Sequence, residues 1–213
     1  MPPLPLTINL HSPRFVVVDK PPGLLSVKGK GPDKTDCVAE RVRAHFPDAT
    51  GPIVVHRLDM DTSGLLVLAL DADAQRDLSK QFEARTVHKT YTALLDGTLE
   101  PDEGTIDLPI RADIDNRPMQ IHDPERGKPS LTNFRVLARE NGTTRVEFTP
   151  ITGRSHQLRV HAAHPLGLGL PILGDVLYGD EHSAPRLMLH ATTLEFDDPG
   201  TRERVRARSD APF

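Results

Sequence analysis

Residues 53–70 constrain this chain more than any other stretch. Their order is Ile-Val-Val-His-Arg-Leu-Asp-Met-Asp-Thr-Ser-Gly-Leu-Leu-Val-Leu-Ala-Leu, two apolar runs around a polar segment with an arginine, two carboxylates and a glycine. The apolar runs predict two buried strands, and the segment between them predicts a functional loop. Two strands normally join through turn residues alone. His56, Arg57, Asp59, Asp61, Thr62 and Ser63 packed into one connection therefore suggest a site held on rigid supports. A plainer reading competes, because Asp, Thr and Ser side chains also bond nearby backbone amides and stabilise turns. Arg57 lies close enough in sequence to share a site with the carboxylates, and the flanking apolar runs place them near low-dielectric walls. Asp59 or Asp61 is thus a catalytic candidate, Asp59 first.

A second dense polar segment spans 151–161, Ile-Thr-Gly-Arg-Ser-His-Gln-Leu-Arg-Val-His. Ser155 is placed to cap a short helix running to about Ala163, with Arg159 one turn inside it. Arg154 and Arg159 fit phosphate or carboxylate recognition, and equally fit ordinary surface roles. Histidines 156, 161 and 164, with His182 and His190, invite a metal reading. Residues five apart lie about 140° round a helix, however, and no Asp or Glu stands among the first three, so metal binding ranks below hydrogen-bonded histidines. Gly153, Gly167, Gly169, Gly174 and Gly179 match neither phosphate-loop pattern.

The formal net charge of -4 argues against a generic polyanion binder. Distribution matters more than the sum. Acids concentrate at 71–77, 96–107 and 195–203, whereas Arg111, Arg117, Arg126, Lys128, Arg154 and Arg159 leave a local basic surface open. Aromatic content of 4% without tryptophan argues against a stacking-rich RNA module. Cys37, the single cysteine, excludes an intramolecular disulfide or a thiolate zinc cluster and fits a reducing cytosol. The first ten residues lack a signal-peptide pattern, and no apolar run approaches the ~20 residues of a membrane helix, so a soluble, cytoplasmic protein is expected.

Along the chain, 14–19 reads as a strand ended by Lys20-Pro21-Pro22-Gly23. Thr35 or Asp36 is placed to cap a helix through Phe46, and Asp71 to cap another reaching about Ala84, with Ala74, Leu78 and Phe82 on its apolar face. Residues 88–95 return as a strand containing Tyr91. The interval 104–130 is loop-rich, and Asn141-Gly142 between apolar strands predicts a type I′ hairpin. Strand segments about Leu187–Phe196 and a final polar strand follow. Strands joined mostly by turns, with about three helices, predict an α+β fold with a mainly antiparallel sheet. A short N-terminal extension over 1–13 and one catalytic domain over 14–213 are expected.

These segments together resemble the RluA family of pseudouridine synthases. The resemblance rests on His56 to Leu66, on Lys89-Thr90-Tyr91 and on Thr152 to His161, with further matches at Lys20 to Leu24 and Pro171 to Asp175. It implies a pseudouridine-synthase catalytic domain with a central RNA-binding cleft. Asp59 is then the catalytic aspartate, Tyr91 the tyrosine stacked on the target uracil, and Arg159 the arginine paired with the aspartate. Arg57 is implied to fill the RNA stack left by a flipped nucleotide, with His56, Arg154, His156 and Leu158 also at the RNA. The implied reaction breaks N1–C1′, turns the bound uracil and rejoins it through C5, with no cofactor and no metal. The implied partner is structured RNA, a large-subunit rRNA hairpin or a tRNA anticodon stem-loop, acted on by a monomer. A non-catalytic RNA-folding factor of the same fold and, last, a metal-dependent hydrolase are the alternatives.

Overall fold

The computed structural model describes residues 6–213. In chain order these form β1 (Thr7–His11), β2 (Phe15–Lys20), α1 (Val38–His45), β3 (Ser63–Ala69), α2 (Ala72–Glu83), β4 (His88–Asp96) and β5 (Glu103–Asp107). There follow β6 (Ile110–Ala112), β7 (Gln120–His122), β8 (Leu131–Glu140), β9 (Thr143–Pro150), α3 (Gln157–Ala163), β10 (Leu189–Asp197) and β11 (Arg204–Arg208). The fold is α+β and its strand pairing is mainly antiparallel, with β3 and β10 a parallel pair. Two compact units emerge. One comprises the chain through Lys89 with His190–Pro212, the other Thr90–Leu189 with Phe213.

In the first unit, β2 is buried along almost its whole length and lies antiparallel between β1 and β3. Alternation along the strands decides which residues meet. Phe15 and Val17 join Leu65, Val67 and Ala69 on one face, where Leu194 and Phe196 of β10 complete the core. Phe15 and Phe196 meet edge to face, with ring centroids 5.0 Å apart. Helix α2 covers this face through Ala74 and Leu78, with Phe82 half-buried beside them, as four-residue spacing predicts. Asp71 caps α2 as expected: one carboxylate oxygen accepts from the amides of Asp73 and Ala74, at 3.0 and 2.8 Å. Arg14 holds the same carboxylate with a two-pronged grip, at 2.9 and 2.8 Å.

The second unit is an antiparallel array in which β4 pairs with β9, β9 with β8 and β8 with β5, beside a small β6–β7 hairpin. Ala93, Leu95, Phe134, Val146 and Phe148 form its core, and α3 contributes Leu158 and Ala162. The β8–β9 turn is the expected one. Asn141 and Gly142 have φ of 53° and 76°, the paired positive values of a type I′ turn.

Three local expectations change. The first apolar run, at Ile53-Val54-Val55, is not a strand and makes only an isolated bridge, Val54 to Leu68, because the His56 imidazole takes the next β3 amide, that of Val67. Helix α1 starts at Val38 without a side-chain cap, since the carbonyls of Leu25 and Ser26 already accept from Val38 and Ala39. Asp36 turns instead to Arg41. Ser155 does not cap α3. That place belongs to His156, in the left-handed region at φ 53°. Of the expected N-terminal extension, residues 1–5 lie outside the described residues, while Thr7–His11 is a strand paired with β2.

Candidate active site

The loop from His56 to Thr62 is held by its backbone, and the residues that hold it come from outside the segment. Ser26, buried, accepts from the Leu58 amide at 3.0 Å and donates to the Leu58 carbonyl at 2.7 Å. Lys20 is 0% exposed. Its ammonium donates to the carbonyls of Pro21, Leu24 and Met60 at 3.0, 2.7 and 2.7 Å. The Gly23 amide adds a second bond to the Met60 carbonyl, at 2.9 Å. Residues 58 and 60 are therefore fixed on either side of Asp59, whose own side chain is half-buried, while that of Arg57 is exposed. A buried ammonium satisfied by three carbonyls is a costly way to fix a turn, and such groups persist where position matters.

His56 is committed inward. Its ring stacks on Phe82 with centroids 4.3 Å apart, and its Nε2 accepts from the Val67 amide at 3.1 Å. That bond requires an unprotonated Nε2. Burial, helped by the positive charge of Lys89, pushes the imidazole down to about 3, so the ring is neutral at pH 7. Burial also lowers Lys89 from the ordinary lysine value. At the far end of the loop, Gly64, second in β3, has φ 105°, and a Cβ there would lie 2.4 Å from the Ala191 carbonyl. Only glycine permits this approach of β3 to β10.

In the second unit the polar residues converge around α3. Arg159, 2% exposed, grips the fully buried Asp175 through Nε at 2.8 Å and Nη2 at 2.5 Å. Asp175 also accepts from the amides of Leu177 and Tyr178, at 3.0 and 3.1 Å, which shapes the following turn. That turn sets the Tyr178 ring 5.3 Å from the Arg159 guanidinium. The Tyr178 hydroxyl accepts from the Gln120 amide at 2.7 Å and lies 2.8 Å from Nδ1 of His156. The start of α3 is fastened by Gln157. Its carbonyl oxygen accepts from Thr152 Oγ1 and the Arg154 amide, and its amide group donates to the Leu131 carbonyl and to Thr132.

The expected RNA-contacting residues thus separate. Arg154 is half-exposed and rests its Nε on the Pro129 carbonyl at 3.3 Å. Tyr91 is half-buried on β4 opposite Phe148 and packs on the core. Leu158 is 7% exposed and packs within the core of its unit. Asp61 is half-buried, a turn residue before β3. Of the expected basic surface, Arg117, Arg126 and Lys128 are exposed, whereas Arg111 is paired with Asp123 and Arg159 with Asp175. Lys20, Ser26, Asp175 and Tyr178 were not singled out by pattern. Asp175 closed one of the matching segments, and Tyr178 is one of only two tyrosines. Neither signal names a partner. Among the described residues no three His, Cys, Asp or Glu side chains converge as a metal centre would need.

An immobilised loop carrying a carboxylate, on an α+β scaffold of this strand order, defines the class of protein. Residues 14–164 match the RNA pseudouridylate synthase family, and the chain belongs to it. It is an enzyme of RNA modification, an isomerase that converts uridine to pseudouridine. Among its relatives is the dual-specificity RNA pseudouridine synthase RluA of Pasteurella multocida, 48% identical over 202 residues that cover 93% of this chain and 90% of that one. The enzyme of the same name from Escherichia coli K12 is 44% identical, covering 98% and 94%. Among solved structures, human RNA pseudouridylate synthase domain containing 1 superposes with a TM-score of 0.79 at 34% identity, over 98% of this chain and 84% of that one. No helix among the described residues is long and apolar enough to cross a membrane.

Proposed function

We propose that this synthase acts on two kinds of structured RNA, a large-subunit rRNA hairpin and a tRNA anticodon stem-loop, with Asp59 as the catalytic carboxylate. Similarity along nearly the whole chain to enzymes named as dual-specificity supports the choice of substrates. The observation that carries the choice of Asp59 is the loop itself. Its backbone is pinned at Leu58 and Met60, and the carboxylate between them keeps part of its surface open. Reacting groups held in one geometry lower a barrier by avoiding the entropy of finding it.

In this reading Asp59 acts on the sugar as nucleophile or base. Tyr91 stacks on the uracil while it turns. The N1–C1′ bond breaks, the C5–C1′ bond forms, and the proton leaving C5 is balanced by one gained at N1. No electron leaves the system and no co-reactant is required. A uridine in a folded RNA must first leave its stack at a cost of roughly a few kcal/mol, and the exposed Arg57 side chain fills the gap and offsets part of that cost. Arg154 and the exposed Arg117, Arg126 and Lys128 neutralise phosphates. His156 supports this surface through Tyr178, and His56 supports the loop from beneath. The enzyme works as a cytoplasmic monomer.

The test uses RNA tritiated at uracil C5. Native protein releases tritium from both an rRNA hairpin and an anticodon stem-loop, and Asp59→Asn releases none. Activity surviving that change removes Asp59 from the chemistry, and activity on one RNA class alone removes the dual specificity.

A further inference from the structure

Two points toward the C-terminal side of the catalytic loop trace back to consecutive residues of β2. Lys20 holds the Met60 carbonyl directly. Asp19, whose side chain leaves the opposite face of the strand, begins a longer path. It accepts a hydrogen bond from the Ser209 hydroxyl. Ser209 Oγ lies 3.1 Å from Nε2 of His190, and His190 Nδ1 lies 2.8 Å from the hydroxyl of Ser63, the first residue of β3. His190 and Ser63 are both 2% exposed. They are also direct neighbours in the β3–β10 ladder, which has only two registered pairs, His190 with Ser63 and Ala191 with Gly64. The Ser209 amide donates to the Thr192 carbonyl at 2.9 Å, which fastens the relay to β10.

With a neutral His190 ring, the order of protons along this path follows from its carboxylate end. A carboxylate only accepts, so the Ser209 hydroxyl proton is committed to Asp19. Ser209 Oγ then accepts from Nε2–H of His190. A neutral ring with its proton on Nε2 has a bare Nδ1, and that nitrogen accepts from the Ser63 hydroxyl. Burying Ser63 and His190 where apolar side chains would pack costs stability unless each bond is made, and the half-buried Ser209 and Asp19 complete those bonds. Here the bonds run from β2 through the C-terminal segment to the residue where the loop becomes strand. We propose that Ser63, His190, Ser209 and Asp19 form a positioning network that sets the direction of the catalytic loop as it enters β3. His190 is a positioning residue: it acts on the reaction through Ser63. The proposal rests on the reading of Asp59 as the catalytic group.

Isosteric substitutions separate the two halves of the imidazole. In His190→Asn the amide oxygen falls near the place of Nδ1 and still accepts from Ser63. In His190→Gln the amide group falls near the place of Nε2 and reaches Ser209 but not Ser63. Ser63→Ala removes one oxygen and adds no bulk. With tritiated RNA, Ser63→Ala and His190→Gln are expected to lower kcat by about tenfold or more with KM within about twofold, since loss of alignment falls on the transition state. His190→Asn is expected to keep kcat within about threefold. Circular dichroism melts confirm that each variant is folded at the assay temperature. A native kcat for Ser63→Ala, equal losses in the two His190 variants, or a loss seen in KM and not kcat overturns the network. In the native protein, nitrogen-15 spectra of the His190 ring should show the proton on Nε2, and a proton on Nδ1 overturns the order. Asp59→Asn is run beside them, and tritium release by that variant sinks the Asp59 reading itself, separately from the network.

Discussion

Removing the Asp175 carboxylate is the most severe test of how the second unit is held. Asp175→Ala deletes both oxygens that grip Arg159 and the acceptor for the amides of Leu177 and Tyr178. Both members of the pair are almost without solvent contact, with side-chain exposures of 3% and 0%, so water does not replace what is lost. Breaking a buried pair from one side costs about 3–5 kcal/mol, because the remaining charge keeps its desolvation penalty without its compensation. That is a large part of the ~5–15 kcal/mol that holds a typical domain together. With a urea slope of about 2–3 kcal/mol per molar, the unfolding midpoint should fall by roughly 1–2 M. Far-ultraviolet circular dichroism in urea reads this directly. A double change, Asp175→Leu with Arg159→Met, removes both charges and leaves apolar groups of similar size. It should be less destabilised than Asp175→Ala, although inactive. Two results refute the reasoning: a single variant within about 1 kcal/mol of native, or a double variant whose loss equals the sum of the two single losses.

Other expectations concern charge. The Arg14 guanidinium, with the amides of Asp73 and Ala74, pulls Asp71 down to about 2. A depressed carboxylate stabilises fully above its unfolded value of about 4 and loses that contribution as pH falls toward 2. The pair is about one-third exposed, which reduces the effect to about 1 kcal/mol. Urea midpoints of native and Asp71→Asn proteins should therefore differ at pH 7 and converge below pH 3, and a constant gap argues against it. Burial pushes His161 down to about 4, opposed by a long bond at 3.4 Å to the Leu108 carbonyl and by the negative charge of Asp107. The unfolded chain takes up that proton near pH 6.5 and the folded chain does not, so stability falls between pH 6.5 and 4 by up to about 1.4 kcal/mol per pH unit. His161→Gln should flatten that slope, and an unchanged slope removes His161 from the cause. Lys20→Met leaves the Met60 carbonyl with one of its two donors and should lower kcat on tritiated RNA by about tenfold with little change in KM. A full rate would mean that Ser26 and Gly23 suffice to hold the loop.

What could be read from the order of residues was whatever depends on near neighbours. Asp71 followed by residues at four-residue spacing gives α2, because a cap and an apolar stripe are local. Asn141-Gly142 gives its hairpin, because two positive φ values are needed within one turn. The long polar segments give the family, and with it the reaction. Local signals failed where a distant group supplied the bond. Ser155 lost the start of α3 because Gln157 reaches Thr152, Thr132 and Leu131, and Asp36 lost the start of α1 because two carbonyls from residues 25 and 26 were already there. The first apolar run lost its strand to a histidine side chain.

The supports of the site were the part the sequence could not disclose. Lys20 is 40 positions from Met60, Ser26 is 32 from Leu58, and Ser63 is 127 from His190. Nothing in composition or period links residues at such separations. By itself, then, the sequence determined where the helices and hairpin form, which family this is and which carboxylate to suspect. Only the tertiary structure decided what holds the backbone on either side of it. A buried polar group must find a partner wherever the fold brings one, and its choice is recorded in three dimensions and not along the chain.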